Sequence, residues 1–129
     1  MTLPAVFLSH GAPTLATANN VFTHAWSELA VVLGRPAAIL VVSAHWDTPF
    51  TAITTAARLE TIHDFAGFPE ALYRVRYEPP GAPALARRVQ ELLVGIGQGP
   101  SVDPDRGIDH GGGGPRRWEY PDPHIPVAQ

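Results

Sequence analysis

Two apolar runs, each closed by a serine–histidine motif, limit what this chain can fold into. Ala5-Val6-Phe7-Leu8 leads into Ser9-His10-Gly11, and Ala38-Ile39-Leu40-Val41-Val42 leads into Ser43-Ala44-His45-Trp46. Short, continuously apolar segments of this kind suit parallel strands covered on both faces. Between them the pattern predicts one helix: Phe22, Trp26, Leu29, Ala30 and Leu33 share a stripe, Asn19 or Asn20 can cap it, and Gly34 and Pro36 end it. Residues 5–43 therefore read as a right-handed βαβ unit. Its two imidazoles then stand on one rim of the sheet, where open α/β sheets place ligands and metals.

The rest of the chain continues in the same manner. Residues 51–56 alternate and are β-branched, which predicts a third strand after the Asp47-Thr48-Pro49 turn. Residues 61–81 hold Gly67, Pro69, Pro79, Pro80 and Gly81 among aromatics, and read as a long structured loop with a short strand at Tyr73–Tyr77. Loops of that length tend to be functional. A second helix is expected from about Pro83, with Leu85, Val89, Leu92, Leu93 and Ile96 on its stripe, until Gly97 and Gly99 stop it. Residues 101–110 then connect to Asp109-His110-Gly111, a glycine run to Gly114, Pro115 and a short helical segment at Arg116–Tyr120. Ile125–Gln129 reads as the opening of a buried strand that does not finish, which suggests a piece of something larger. The expected class is α/β: a mostly parallel or mixed central sheet with flanking helices, one domain over residues 1–129, incomplete at its C-terminus.

Composition removes several functions. With 129 residues and 45% apolar content, the chain can bury one core. No apolar stretch approaches the roughly 20 residues that span a bilayer. Met1-Thr2-Leu3-Pro4 lacks the basic region of a signal peptide. Cysteine is absent, so disulfides, thiolate metal sites and cysteine nucleophiles are absent with it, and a cytoplasmic location is the default. A net charge of −3 without a basic cluster argues against nucleic acid and anionic membranes as partners. All nine basic residues are arginine, which excludes a Schiff-base or phosphate-loop lysine.

The histidines carry the chemistry. Adjacent parallel strands lie about 4.8 Å apart, so His10 and His45 could both reach a metal about 2.1 Å from each ring nitrogen. Ser9 or Ser43 could orient them by hydrogen bonds. The same placement lets both histidines merely cap strands, and the 34 residues between them match no recognised ligand spacing. His110, between Asp109 and Gly111, suits a general acid or base, or a turn residue paired with Asp109. His63 could contact a substrate or lie on the surface; His24 and His124 read as solvated. Trp46, Phe65, Phe68 and Tyr73 could wall a pocket for an aromatic substrate or form the long loop's own small core. Arg74, Arg76 and Arg106 could each bind a carboxylate or serve as surface charge.

Taken in order, Ser9-His10-Gly11, Ser43-Ala44-His45-Trp46, His63-Asp64-Phe65-Ala66-Gly67-Phe68-Pro69, Leu72-Tyr73, Tyr77-Glu78-Pro79-Pro80-Gly81 and Asp109-His110-Gly111 resemble the class III extradiol ring-cleaving dioxygenases, in their DOPA 4,5-dioxygenase-like branch. The resemblance covers nearly the whole chain. It implies that His10 and His45 are metal ligands for one Fe(II) or Zn(II) ion, with His110 beside the substrate as acid or base. It also implies that the Phe65–Pro69 segment lies near the pocket mouth and that His63, Phe65 and Phe68 bind substrate. The implied partners are a small aromatic diol and O2.

Three departures accompany it. Family members are about twice this long, with further metal ligands in the half not present here, so a second copy of the chain or a C-terminal half would have to complete the site. His63 stands where tyrosine is usual, and Gly112-Gly113-Gly114 stand where bulkier residues usually start a helix. Two other readings stay open on the residues alone: a non-catalytic metal-binding remnant, and a metal-dependent hydrolase on the same scaffold.

Overall fold

Asn20 starts the first helix. In the computed structural model, which describes residues 2–129, its side chain accepts from the Phe22 and Thr23 N–H groups at 3.0 and 3.2 Å, and Thr23 Oγ1 accepts from the Asn20 N–H. This reciprocal box begins α1 (Val21–Leu33), and Gly34, at φ 71°, ends it. A 3-10 turn at Pro13–Ala16 precedes α1. After it come β1 (Ile39–Leu40), β2 (Ala52–Thr54), α2 (Glu70–Tyr73), α3 (Pro83–Gly95), β3 (Ser101–Asp103), α4 (His110–Glu119) and β4 (Val127–Ala128).

The strands pair in parallel, as an α/β chain requires. β1 lies against β4 with Ile39 opposite Val127, and β2 against β3 with Ile53 opposite Val102. The buried strand expected near residue 125 is β4, whose two residues are fully buried. It is flanked on its other side by Gly81, and the Ala82 N–H donates to Val127 O at 3.0 Å. The Thr54 N–H donates to Gln129 O at 2.7 Å, which ties the two small sheets together. Val41, Ala56, Leu59, Tyr77, Ile108 and Val127 pack as one core. A second cluster, Ile53, Ala82, Ala86 and Ala128, lies under α3.

Several expectations fail, each for a local reason. Residues 5–8 form no strand: Phe7 is 95% exposed, and a groove of about 960 Å³ lies between residues 3–7 and 38–44. An apolar run becomes a strand only when a neighbour takes its N–H and C=O groups, so the expected βαβ unit has its helix and second strand without its first ladder. Residues 73–77 form no strand either. Pro69 and Glu70 start α2 instead, and residues 75–77 are held by side chains. Thr61 Oγ1 accepts from the Tyr77 N–H at 2.8 Å, and the His63 ring meets Val75 O at 2.9 Å. β3 falls in a stretch read as a connection. On α3 only the Leu85, Ala86 and Val89 side is covered, while Leu92 and Ile96 stay exposed. On α1 the buried residues are Thr23, Trp26 and Ala30, and Phe22 faces solvent.

Candidate metal centre

The helix that carries His110 begins earlier than its composition suggests. It was expected only at 116–120, yet α4 runs from His110 through all four glycines and Pro115. Each glycine costs about 1 kcal/mol relative to alanine in a helix interior, so other contacts must offset it. Asp109 supplies one set. Its buried carboxylate accepts from the Gly112 N–H at 3.2 Å, Ser43 Oγ at 2.7 Å, Arg106 at 3.0 Å and Gln129 Nε2 at 2.7 Å. Close packing supplies another. A Cβ on Gly112 would lie 3.0 Å from Ile108 and Gln129, and one on Gly111 would lie 2.7 Å from Ser43 Oγ and 3.1 Å from His45 Cδ2. The glycines let α4 approach the loop that follows β1.

That approach gathers three imidazoles. His10 follows the first apolar run, His45 follows β1, and His110 is the first residue of α4. One ring nitrogen from each lies within 4.8 Å of the others. Ring centroids are 4.8 Å apart for His10 and His45, 5.1 Å for His10 and His110, and 4.0 Å for His45 and His110.

An oxygen faces Nδ1 in every case: Gly11 O at 2.8 Å from His10, Asp64 Oδ1 at 2.8 Å from His110, and Asp64 Oδ2 at 3.2 Å from His45. For His10 and His110 the acceptor at Nδ1 assigns the proton to that nitrogen and leaves the Nε2 lone pair free; the His45 contact is close but makes no aligned hydrogen bond. Imidazole nitrogens gathered in this way form a candidate site for a divalent transition-metal ion.

Asp64 is the residue that sequence reasoning left without a role. It lies within the His63-Asp64-Phe65 motif, whereas Asp109 is the carboxylate adjacent to His110 in sequence. The structure pairs His110 with Asp64, 46 residues away, and gives Asp109 to the helix cap. Burial by itself raises the Asp64 pKa. The backbone N–H and ring of His110 outweigh that and hold the carboxyl below its usual range.

The aromatic loop touches the cluster through Phe65, whose ring is 5.7 Å from His110. Phe68 lies 5.4 Å and Tyr73 5.1 Å from Phe65, and His63 packs against Phe65 and Tyr73. His63 bonds to Val75 O and stands outside the three-histidine cluster. Beneath the loop, Ile62, Phe65, Leu72, Val75, Tyr77 and His110 line a cavity of about 30 Å³, too small for an aromatic diol. A wider groove of about 430 Å³ runs past Ser9, His10, Gly11, Ser43, Ala44 and Gly111.

Trp46 lies under the Arg106 guanidinium at 4.9 Å, and Arg106 is engaged by Asp109. Arg74 pairs with Glu70 on the surface, and Arg76, His24 and His124 are exposed. Among the described residues, no helix is long and apolar enough to cross a membrane.

Residues 4–129 match the family described as the catalytic LigB subunit of aromatic ring-opening dioxygenase. The chain is 47% identical over 128 residues to a protein of Escherichia coli (strain K12) named 4,5-DOPA dioxygenase extradiol, covering 98% of this chain and 46% of that one. Proteins of the same name from Beta vulgaris and Mirabilis jalapa are 41% and 37% identical, each over 95% of this chain and 47% of theirs. A crystal structure of an uncharacterized E. coli K12 protein superposes with a TM-score of 0.66 at 39% identity, over 86% of this chain and 40% of that one. The chain spans about half the length of the curated relatives it matches. With its site loops, its parallel α/β pairing and a match along almost its whole length, the chain belongs to the LigB family of aromatic ring-opening dioxygenases.

Proposed function

We propose that this chain forms the first half of a catalytic unit for metal-dependent extradiol cleavage of a catechol by O2. The convergence of His10, His45 and His110, each with an oxygen at Nδ1, carries the reading. His10 and His45 would hold one Fe(II) or Zn(II) ion. When bound, it would supply the Lewis-acid and O2 chemistry that the cleavage needs. His110, with Nδ1 held by Asp64, accepts a catechol hydroxyl proton at Nε2. The ring carbon–carbon bond beside the diol breaks, both atoms of O2 enter the product, and a muconic semialdehyde results.

Phe65, whose ring is 5.7 Å from His110, borders the proton-accepting histidine, with Phe68 and His63 behind it and outside the groove. The groove beside His10 and Gly111 has the size of a small-molecule site, whereas the cavity under Phe65 does not. Further metal ligands come from a second copy or from the remainder of the fold seen in the longer relatives, and the unit works in the cytoplasm.

Anaerobic loading with Fe(II), then catechol and oxygen, is expected to give a yellow ring-fission product. His10→Ala and His45→Ala each abolish metal uptake, and unchanged metal content in either would overturn the ligand assignment. One observation favours a second reading: a set of three imidazoles also suits zinc-activated water. Tight zinc binding with ester hydrolysis and no coloured product would select that hydrolase.

A further inference from the structure

We infer that Asp64 is the positioning residue of this site: one carboxylate sets the tautomer and ring orientation of His45 and His110 together. Its Oδ1 accepts from both the backbone N–H of His110, at 3.0 Å, and the ring Nδ1 of His110, at 2.8 Å. A single oxygen therefore grips the first residue of α4 at two points. Its Oδ2 is buried and has no hydrogen-bond partner, and it lies 3.2 Å from Nδ1 of His45. A small rotation of the half-exposed His45 ring converts that contact into an aligned hydrogen bond.

The neutral imidazole of histidine otherwise favours its proton on Nε2, which would point N–H groups, and no lone pairs, into the centre of the cluster. Asp64 reverses the preference for two rings at once. It does so across three separate segments, the loop after β1, the loop before α2 and the start of α4. His10 needs no such help, because Gly11 O already occupies its Nδ1. Carboxylates that hold the far nitrogen of a ligating histidine tune both its orientation and its basicity.

The consequence for metal binding rests on the proposed ligand roles of His10 and His45; the tautomer assignment does not. Ring-nitrogen NMR of the metal-free protein at mildly alkaline pH should show Nδ1–H on His45 and His110. In Asp64→Asn at least one of the two rings should change to the Nε2–H form, because the amide nitrogen cannot accept a proton donor. His10 should stay as it is. Zn(II) affinity, read by competition with a coloured chelator, should fall roughly 10- to 100-fold in Asp64→Asn and recover in part in Asp64→Glu, with the backbone amide spectrum unchanged.

An Nε2–H form on both rings of the unaltered chain overturns the inference, as does Asp64→Asn with unchanged tautomers. If the unaltered chain takes up no Zn(II) while the tautomers respond to Asp64, the positioning role stands and the metal reading fails.

Discussion

Ser43 Oγ donates to Asp109 Oδ1 across 2.7 Å, which joins the loop carrying His45 to the cap of the helix carrying His110. Asp109 is wholly buried and receives four donors. Its loss therefore acts on the helix start, on Arg106 and on the His45 loop together. Asp109→Ala is expected to destabilise the chain by about 3 kcal/mol, since removing one partner of a buried ion pair costs on that order. Ser43→Ala, which removes one neutral donor, should cost about 1 kcal/mol. Urea unfolding of both variants checks the ranking.

Two glycines of one helix should respond in opposite directions. At Gly111 a Cβ meets Ser43 Oγ and His45 Cδ2, whereas at Gly114 it meets nothing within 4 Å. Gly114→Ala should stabilise by about 0.5–1 kcal/mol, the helix-propensity difference. Gly111→Ala should destabilise and also weaken Zn(II) uptake, because His45 must move. Thermal midpoints and metal competition on the pair test this; equal effects at the two positions would mean that α4 does not pack as described.

Alkaline pH should unfold the chain through Tyr77. Burial pushes its phenol up to about 12; Arg116 opposes the shift and Glu119 adds to it. A folded pKa above the unfolded value near 10 contributes stability that is complete below about pH 10. That stability is lost as pH rises through about 12. The two-unit difference corresponds to roughly 2–3 kcal/mol. Phenolate absorbance should show Tyr77 titrating late, with Tyr120 also raised by its burial and by Glu119. Tyr77→Phe should flatten the alkaline decline while losing the hydrogen bond to Tyr120 O.

Arg116 and Glu119 form a largely buried ion pair at the edge of the large groove. Burial raises the Glu119 pKa, and Arg116 is the group that pulls it back. Arg116→Met leaves the carboxylate uncompensated and should cost about 3 kcal/mol. Arg116→Met combined with Glu119→Gln should recover part of that loss in the same unfolding assay.

Much of the framework was legible because its signals are local. Asn20 and Gly34 bound α1, Pro83 opens α3, and the apolar end at 125–129 becomes β4; each depends on a few neighbouring residues. The site-bearing loops could be named from their motifs, and the match along residues 4–129 places them in one family.

Other features depend on surfaces that meet only in the folded chain. The apolar residues 5–8 have the composition of a strand but find no ladder partner among the described residues. Gly111 and Gly112 of α4 oppose a helix by propensity, yet close contact with Ile108, Val41 and His45 makes them the residues that fit. His110 has a carboxylate beside it in sequence and takes another, 46 residues away, in space. The sequence by itself named His10, His45 and His110 as candidates and set the bounds of α1 and the start of α3 through local signals. Tertiary structure decided which oxygen faces each ring, because a hydrogen bond between distant segments is set by packing and not by adjacency along the chain.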